Sequence, residues 1–305
     1  MHFMIILATI ITAALIFLPE AAFAWGPGFH LQLGAMVLEN MGNFPPAVAA
    51  VIAAFPNDFL YGCIAADITL GKKYTHYLLH CHRWHIGKKL LDEAGQGGQQ
   101  ACAYGYLTHL AADSVSHGYY VPIKIMRSYP TLLLNHAYWE MRFDCFIPPD
   151  IWELGRKAAR EHYEENDALL RRVISNTIFS FSTNKKIFNS ILLVSRLEKW
   201  QQLLKTINDV SRFQLEEEDR DEYLELARRA VFDILTEGDS SSWFAADPTG
   251  ERALRAANSV RKNLRLLYQS GKITKADANR ELEEIRSRLK AAIREPEQIK
   301  QILSG

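Results

Sequence analysis

The chain has 305 residues, with 35 basic and 35 acidic side chains and a formal net charge of zero at pH 7. This balance gives no bulk electrostatic reason to expect a nucleic-acid partner, although it does not exclude a locally basic groove. Hydrophobic residues make up 48% of the chain, an ordinary fraction for a globular protein. The length suffices for one large domain or two smaller ones.

The first 24 residues form an apolar leader. Its hydrophobic run is interrupted by Pro19-Glu20 and followed by Ala22-Phe23-Ala24, the small-residue pattern of a signal-peptide cleavage site. The run is shorter than the roughly 20 residues of a membrane-spanning helix, so cleavage is favoured over an uncleaved anchor. We therefore expect a signal peptide over 1–24 and a secreted or periplasmic mature protein. Cleavage would make Trp25 the N-terminal residue, whose amine and carbonyl could chelate a metal ion together with His30.

Runs with helical periodicity recur along the rest of the chain, and alternating strand patterns are nearly absent. Breaks rich in glycine, proline or serine separate these runs, for example at 42–46, 95–98 and 238–242. The patterns predict an all-α fold with helices at about 30–42, 45–55, 74–93, 97–117, 131–145, 150–164, 166–182, 187–207, 216–236, 248–270 and 275–302.

The composition changes along the chain, because nine of the ten histidines lie before residue 137. We predict a chemical core at 25–183, a packed helical extension at 184–245 and a charged C-terminal helical hairpin at 246–305. The hairpin turn is expected at Gln269-Ser270-Gly271-Lys272. This last segment is weakly similar to the short C-terminal (SHOCT-type) hairpins of bacterial proteins, but a solvated surface hairpin without a special role is the favoured interpretation.

The strongest chemical signal is the spacing of His109, Asp113 and His117, which places the three side chains on one face of a helix. The two histidines would be about 12 Å apart along the axis. One zinc ion with bonds of about 2.0–2.2 Å cannot easily bind both. The spacing therefore predicts a multinuclear site with Asp113 between the ions, and a polar surface stripe is the alternative.

Two further patterns favour metal binding. His136 and Glu140 lie four residues apart on a predicted helix, a common geometry for two ligands of one metal, although a cap or a salt bridge would use the same spacing. Asp67 lies in an apolar setting, where a buried carboxylate needs a partner such as a metal ion, unless it caps a helix or turn. Four histidines then follow within ten residues, and not all of them can be ligands: His76, His80, His82 and His85.

The ordered pattern of Trp, His, Asp, His, HxxxD, His and HxxxE resembles the zinc-dependent phospholipase C family, within the larger group that includes S1/P1-type nucleases. The resemblance spans about 25–146 and implies a multi-helix, all-α domain that holds about three Zn²⁺ ions. By position it implies one ion on Trp25, His30 and Asp113, a second on Asp67, His82, His109 and Asp113, and a third on His117, His136 and Glu140. His80 is the alternative to His82, and Asp67 is implied to act also as a catalytic proton acceptor.

The resemblance implies a hydrolase that cleaves phosphodiester bonds, most readily those of phospholipids, with zinc-activated water, and that can make peripheral contact with a membrane. Two alternatives are an S1/P1-type single-strand nuclease and a non-catalytic, metal-bound envelope protein. Nucleases of this group usually carry aspartate where this chain has Glu140. Tyr61, Tyr119 and Tyr120 could line a head-group pocket, but ordinary core positions are favoured. The four cysteines are equally compatible with disulfides and with buried free thiols.

Overall fold

The computed structural model describes residues 26–69, 80–131, 136–161, 163–174, 180–194 and 215–304. Within these ranges the regular elements are helices and no strand is present, which confirms the all-α prediction. The expected leader and Trp25 lie outside the described residues. The helices are α1 (Pro27–Glu39), α2 (Pro46–Ala54), α3 (Pro56–Ala65), α4 (Trp84–Glu93), α5 (Gly98–Val115), α6 (Val121–Arg127), α7 (His136–Asp144), α8 (Pro149–Arg160), α9 (Glu164–Val173), α10 (Phe181–Val194), α11 (Glu217–Glu237), α12 (Glu251–Gln269), α13 (Lys275–Ala291) and α14 (Pro296–Ser304).

Helix α5 runs through the centre of the molecule, and α3 packs directly against it. A Cβ atom on Gly62 would lie 2.0 Å from the carbonyl oxygen of Cys102, and one on Gly105 would lie 2.1 Å from that of Phe59. Both positions therefore require glycine, because the two backbones are in contact there. This close approach brings the end of α3, with Asp67 in the short 3₁₀ turn that follows, beside the turn of α5 that carries His109.

Helix α5 does not end at residue 117 as predicted. It passes at Ser116 into one π-helical turn, Ser116–Tyr120, and then into α6. A π turn contains more residues than an α turn and redirects the side chains that follow, and such turns are frequent at functional sites. His117 therefore projects in a different direction from the one that a regular helix would give it.

Two helices occur where none was predicted, α3 and α6. Every residue from Phe59 to Ala65 is buried, and so is every residue from Val121 to Met126. Without a solvent-facing side, neither segment shows the contrast between apolar and polar positions by which amphipathic helices are recognised. The helix predicted at 275–302 is interrupted at 292–295 and forms α13 and α14. Of the helix predicted at 74–93, the structure describes residues 80–93, and within these the helix begins at Trp84.

The C-terminal helices pack on the central ones. Helix α11 lies against α5, and α12 and α13 lie against α6. A buried ion-pair network reinforces this contact: Asp219 of α11 accepts from the ammonium group of Lys124 at 2.5 Å and pairs with the guanidinium group of Arg286 at 2.7 Å. Helices α5 and α6 are thus enclosed by residues from both halves of the chain.

Several side chains noted in the sequence belong to the core. Tyr61, Tyr119 and Tyr120 are at most 1% exposed, as expected for core residues and not for the lining of an open pocket. Cys63 and Cys102 are buried free thiols, so the disulfide alternative does not apply to them. In the described part of the chain, no single helix is long and apolar enough to cross a membrane. One bent pair, 46–54 with 56–68, reaches that length and composition, with an angle of 95° between its halves.

Candidate metal centre

Eight of the nine predicted ligands lie within the described residues, and they form two groups. We call the first the Asp113 cluster. In it the Nε2 atom of His82 lies 3.1 Å from Asp113 Oδ2 and 3.2 Å from Asp67 Oδ1. The Nε2 atom of His109 lies 3.2 Å from Asp113 Oδ2 and 3.0 Å from His82 Nε2. Nitrogen and oxygen donors from three separate elements therefore converge on one buried point.

His30 completes the Asp113 cluster from α1. Its ring stacks on that of His109 with 3.8 Å between centroids, and its Nε2 atom lies 3.4 Å from Asp113 Oδ1. Neither ring nitrogen of His30 has a hydrogen-bond partner among the described residues. Burial, reinforced by the neighbouring His109, lowers the pKa of His30 to about 3. The ring is thus neutral at physiological pH and retains a lone pair, as a metal ligand requires.

Asp113 is fully buried and carries the negative charge of this cluster. Burial alone would raise its pKa, but the imidazoles of His109 and His82 outweigh that effect and hold the pKa well below its usual value. The Oδ1 atom, on the side of His30, has no hydrogen-bond donor among the described residues. An ionised carboxylate in a dry environment needs compensation, and the neutral ring of His30 on its other side provides no charge.

The second group, which we call the His117 cluster, joins the π turn to α7. The rings of His117 and His136 are 4.8 Å apart at 80°, and Glu140 forms an ion pair with His136 and lies 3.9 Å from His117 Nε2. Burial raises the pKa of Glu140 to about 8, and the nearby charges of Asp67 and Asp113 contribute in the same direction. The two clusters are therefore close enough to interact electrostatically.

Backbone carbonyls orient a histidine in each cluster. His109 Nδ1 lies 2.9 Å from the carbonyl oxygen of Cys63 in α3, and His117 Nδ1 lies 2.5 Å from that of Pro248, just before α12. If each Nδ1 donates its hydrogen, the Nε2 atom is left as the acceptor that faces the cluster. A carbonyl partner of this kind fixes the tautomer and ring direction of metal-binding histidines in general.

The donor set fits metal ions. Three groups have one candidate ligand atom per residue within 4.8 Å of one another: His30 with His109 and Asp113, Asp67 with His82 and His109, and His117 with His136 and Glu140. Both ring nitrogens of His30 and the Nε2 atom of His117 lack hydrogen-bond partners among the described residues. Buried polar atoms are nearly always satisfied, so a run of unsatisfied ones indicates a binding site for something else.

The positions of His80 and His82 distinguish them as candidate metal ligands. The Nε2 atom of His82 lies inside the Asp113 cluster, and the side chain is 2% exposed. His80 is partly exposed, and its Nδ1 atom faces the backbone amide of His82 at 3.2 Å. These two residues also form a fourth potential group with Cys81. The geometry favours His82 as the ligand in the Asp113 cluster.

Asp144 is a buried carboxyl beside the site that sequence reasoning missed. It accepts a hydrogen bond from the backbone amide of Phe29 at 3.2 Å, and a Cβ atom on Gly26 would lie 1.9 Å from its Oδ2 atom. Burial raises its pKa to about 8. Asp144 thus holds the beginning of α1, close to the expected N-terminus of the mature chain. Its position four residues after Glu140 extends the His136–Glu140 face of α7, and this spacing could have revealed it.

Comparison with known proteins agrees with this geometry. The profile of the zinc-dependent phospholipase C family matches residues 29–187, just over half of the chain. Searches of curated proteins and of solved structures found no match. The match covers all eight of the described candidate ligands and ends before α11. The chain therefore belongs to the zinc-dependent phospholipase C family.

Proposed function

We propose that this protein is a zinc-dependent phosphodiesterase that hydrolyses phospholipids on the glycerol side of the phosphate, releasing diacylglycerol and a phosphorylated head group. The main support is the convergence of buried imidazole nitrogens and carboxylate oxygens into groups whose candidate ligand atoms lie within 4.8 Å of one another, found in a chain of this family. Neither ring nitrogen of His30 has a hydrogen-bond partner among the described residues, an arrangement that a purely structural polar core seldom contains.

The proposed ligand set is the one that the resemblance implies. Trp25, His30 and Asp113 bind one zinc ion, Asp67, His82, His109 and Asp113 bind a second, and His117, His136 and Glu140 bind a third. These nine residues offer about eleven bonds, whereas three four-coordinate zinc ions need about twelve. The shortfall leaves a position for water or substrate, which is typical of a catalytic and not a structural zinc site.

Zinc ions in such a site lower the pKa of water and neutralise charge on phosphate oxygens. The protein's own residues provide the rest. Asp67, fully buried at the end of α3, is placed to accept a proton at its carboxylate. The carbonyl groups of Cys63 and Pro248 hold two imidazoles in fixed tautomers, so little reorganisation is needed when substrate binds.

We further propose that the protein is exported. The apolar leader and the Ala22-Phe23-Ala24 pattern support removal of 1–24. Cleavage at this point would generate the Trp25 amine that completes the first zinc site. Processing and metal binding would then be coupled, and N-terminal sequencing of the exported protein is the direct measurement.

The function is tested by counting zinc and measuring turnover on three substrates: a water-soluble phosphorylcholine ester, mixed phospholipid vesicles and single-stranded DNA. We expect about three zinc ions per chain and turnover of the first two substrates. Turnover of DNA alone would make the protein a nuclease, and bound zinc without any turnover would make it a metal-bound envelope protein. His109→Ala should abolish activity, whereas His85→Ala, which changes an exposed histidine outside both clusters, should not.

A further inference from the structure

The turn between α12 and α13 carries a concentration of exposed apolar side chains. Leu266, Leu267 and Tyr268 are 65%, 40% and 41% exposed. Among the described residues, Phe55 is the only other large hydrophobic side chain with comparable exposure. We call residues 262–275 the hairpin tip. Single exposed apolar residues are ordinary, but three consecutive ones at the end of a helical hairpin need an explanation.

Only two of the three side chains continue the buried face of α12. That face consists of Ala253, Ala257, Arg261 and Leu264, at intervals of three and four residues. Leu267 and Tyr268 continue it, and Tyr268 packs edge-on against Tyr129 at 5.4 Å. Leu266 lies about 200° around the helix from Leu264 and faces solvent. The last turn of α12 is therefore apolar on both sides, which suits a tip that inserts into an apolar phase.

The charge around these side chains has one sign. The hairpin tip contains Lys262, Arg265, Lys272 and Lys275 and no acidic residue. None of these four cations forms an ion pair with the described residues. Several other cations of the hairpin are paired, as Arg280 is with Asp277 and Lys290 with Glu222. Basic residues around an exposed apolar group are the combination that binds anionic membrane surfaces.

The backbone holds the tip in place. The amide of Lys272 donates to the carbonyl oxygen of Leu267 at 2.9 Å, and Gly271 adopts a φ of +71°, which closes the end of α12. The contact with Tyr129 ties the tip to the end of α6. The tip is thus packed against the segment that follows the π turn and α6, twelve residues after His117.

We propose that the hairpin tip is a docking site for an anionic phospholipid bilayer, with Leu266, Leu267 and Tyr268 entering the interface and the four cations contacting lipid phosphates. The hairpin tip would be the part of the protein that contacts the membrane. This proposal rests on the proposed function only for the identity of the substrate, a phospholipid. Binding itself does not require turnover, so the two can fail separately.

The test is co-sedimentation of the full, zinc-loaded protein with vesicles of phosphatidylcholine alone or enriched in phosphatidylglycerol. We expect binding to the anionic vesicles that weakens with added salt. The double variant with Lys262→Gln and Lys272→Gln should have a roughly 25-fold lower partition coefficient onto anionic vesicles. Each basic residue near such a surface contributes about fivefold to that coefficient. Leu266→Ser should reduce it by about tenfold. The controls are Lys89→Gln with Lys186→Gln, which removes two exposed cations elsewhere, and Phe55→Ser.

Hydrolysis of a water-soluble phosphorylcholine ester is measured in parallel and should be the same for all of these variants. If the tip variants bind vesicles as well as their controls do, the proposal is wrong. It is equally wrong if the unaltered protein binds no vesicles, even when the soluble ester is cleaved. Should Leu266→Ser convert a dimer to a monomer in sedimentation velocity without changing vesicle binding, the tip is a contact between copies of the chain and the proposal is also overturned.

Discussion

Gly250 is the residue at which the structure makes its sharpest prediction. It lies just before α12, with a φ of +53°, and packs against His117. A Cβ atom at this position would lie 2.1 Å from the Cβ atom of His117 and 2.7 Å from its carbonyl oxygen. Carbon atoms in contact normally stay about 3.5–4.0 Å apart. Gly250→Ala must therefore push the two segments apart by about 1.5 Å.

Two effects contribute to the magnitude. The left-handed backbone costs a residue with a side chain about 1–2 kcal/mol. The displacement of His117 adds a second effect, because metal–ligand distances tolerate only about ±0.2 Å and the bond from His117 Nδ1 to Pro248 would be disrupted. Loss of such an orienting contact typically costs 10- to 100-fold in metal affinity. We expect a loss of that size for the zinc ion proposed at the His117 cluster, with binding at the Asp113 cluster retained.

Gly238 provides the matched control. It has a φ of +54°, and nothing lies within 4 Å of a Cβ atom built on it. Its ψ is −134°, in a region essentially restricted to glycine, whereas that of Gly250 is 17°, so Gly238→Ala adds at least as much backbone strain without the collision. Zinc content is measured by mass spectrometry at equilibrium with a metal buffer, and folding by circular dichroism. If Gly250→Ala binds zinc as tightly as Gly238→Ala does, the loop before α12 does not position His117, and this reasoning is refuted.

Three other predictions follow from the site. Asp67→Asn should lower kcat by about 100-fold or more at full zinc occupancy if Asp67 accepts a proton, and near-normal turnover would exclude that role. His82→Ala should lose zinc from the Asp113 cluster, whereas His80→Ala should retain it, as zinc titration of both variants would show. Burial raises the pKa of Asp144 to about 8. Between about pH 4 and 8 this carboxyl therefore keeps its proton in the folded chain but loses it in the unfolded chain. Stability should therefore fall as pH rises through that range, and Asp144→Asn, compared by urea unfolding at pH 6 and 8.5, should reduce the loss.

The fold class and the proximity of two pairs of candidate ligands follow from the sequence because both depend on local spacing. His109 and Asp113, like His136 and Glu140, are four residues apart on one helix, so a helical segment alone brings each pair together. The separation of His109 from His117 predicted that they would serve different metal ions, and the structure places them in different groups. In each case the constraint is the geometry of one helix, which a sequence pattern contains.

The remaining features depend on contacts between distant segments. The carbonyl of Pro248 reaches His117 across 131 residues, and the amide of Phe29 meets Asp144 across 115. Backbone groups carry no residue-specific signal, so no motif marks such partners. The π turn at Ser116–Tyr120 was also missed, although Gly118 lies within it and Pro122, which cannot donate a helical hydrogen bond, follows it.

These long-range contacts extend the functional unit beyond the segment that the family profile matches. The family profile ends at residue 187, yet the ring of His117 is held by a carbonyl at 248, and α12 and α13 lie against the helix that follows the π turn. Removing the C-terminal segment would leave His117 without its orienting acceptor and would expose the buried Lys124, which pairs with Asp219 of α11. A chain cut after 187 should then lose the third zinc site even if the Asp113 cluster survives. Residues on both sides of residue 187 therefore contribute to the candidate metal centre. The described candidate ligands lie before it and follow a sequence motif, whereas the carbonyl group that orients His117 lies after it and leaves no such motif.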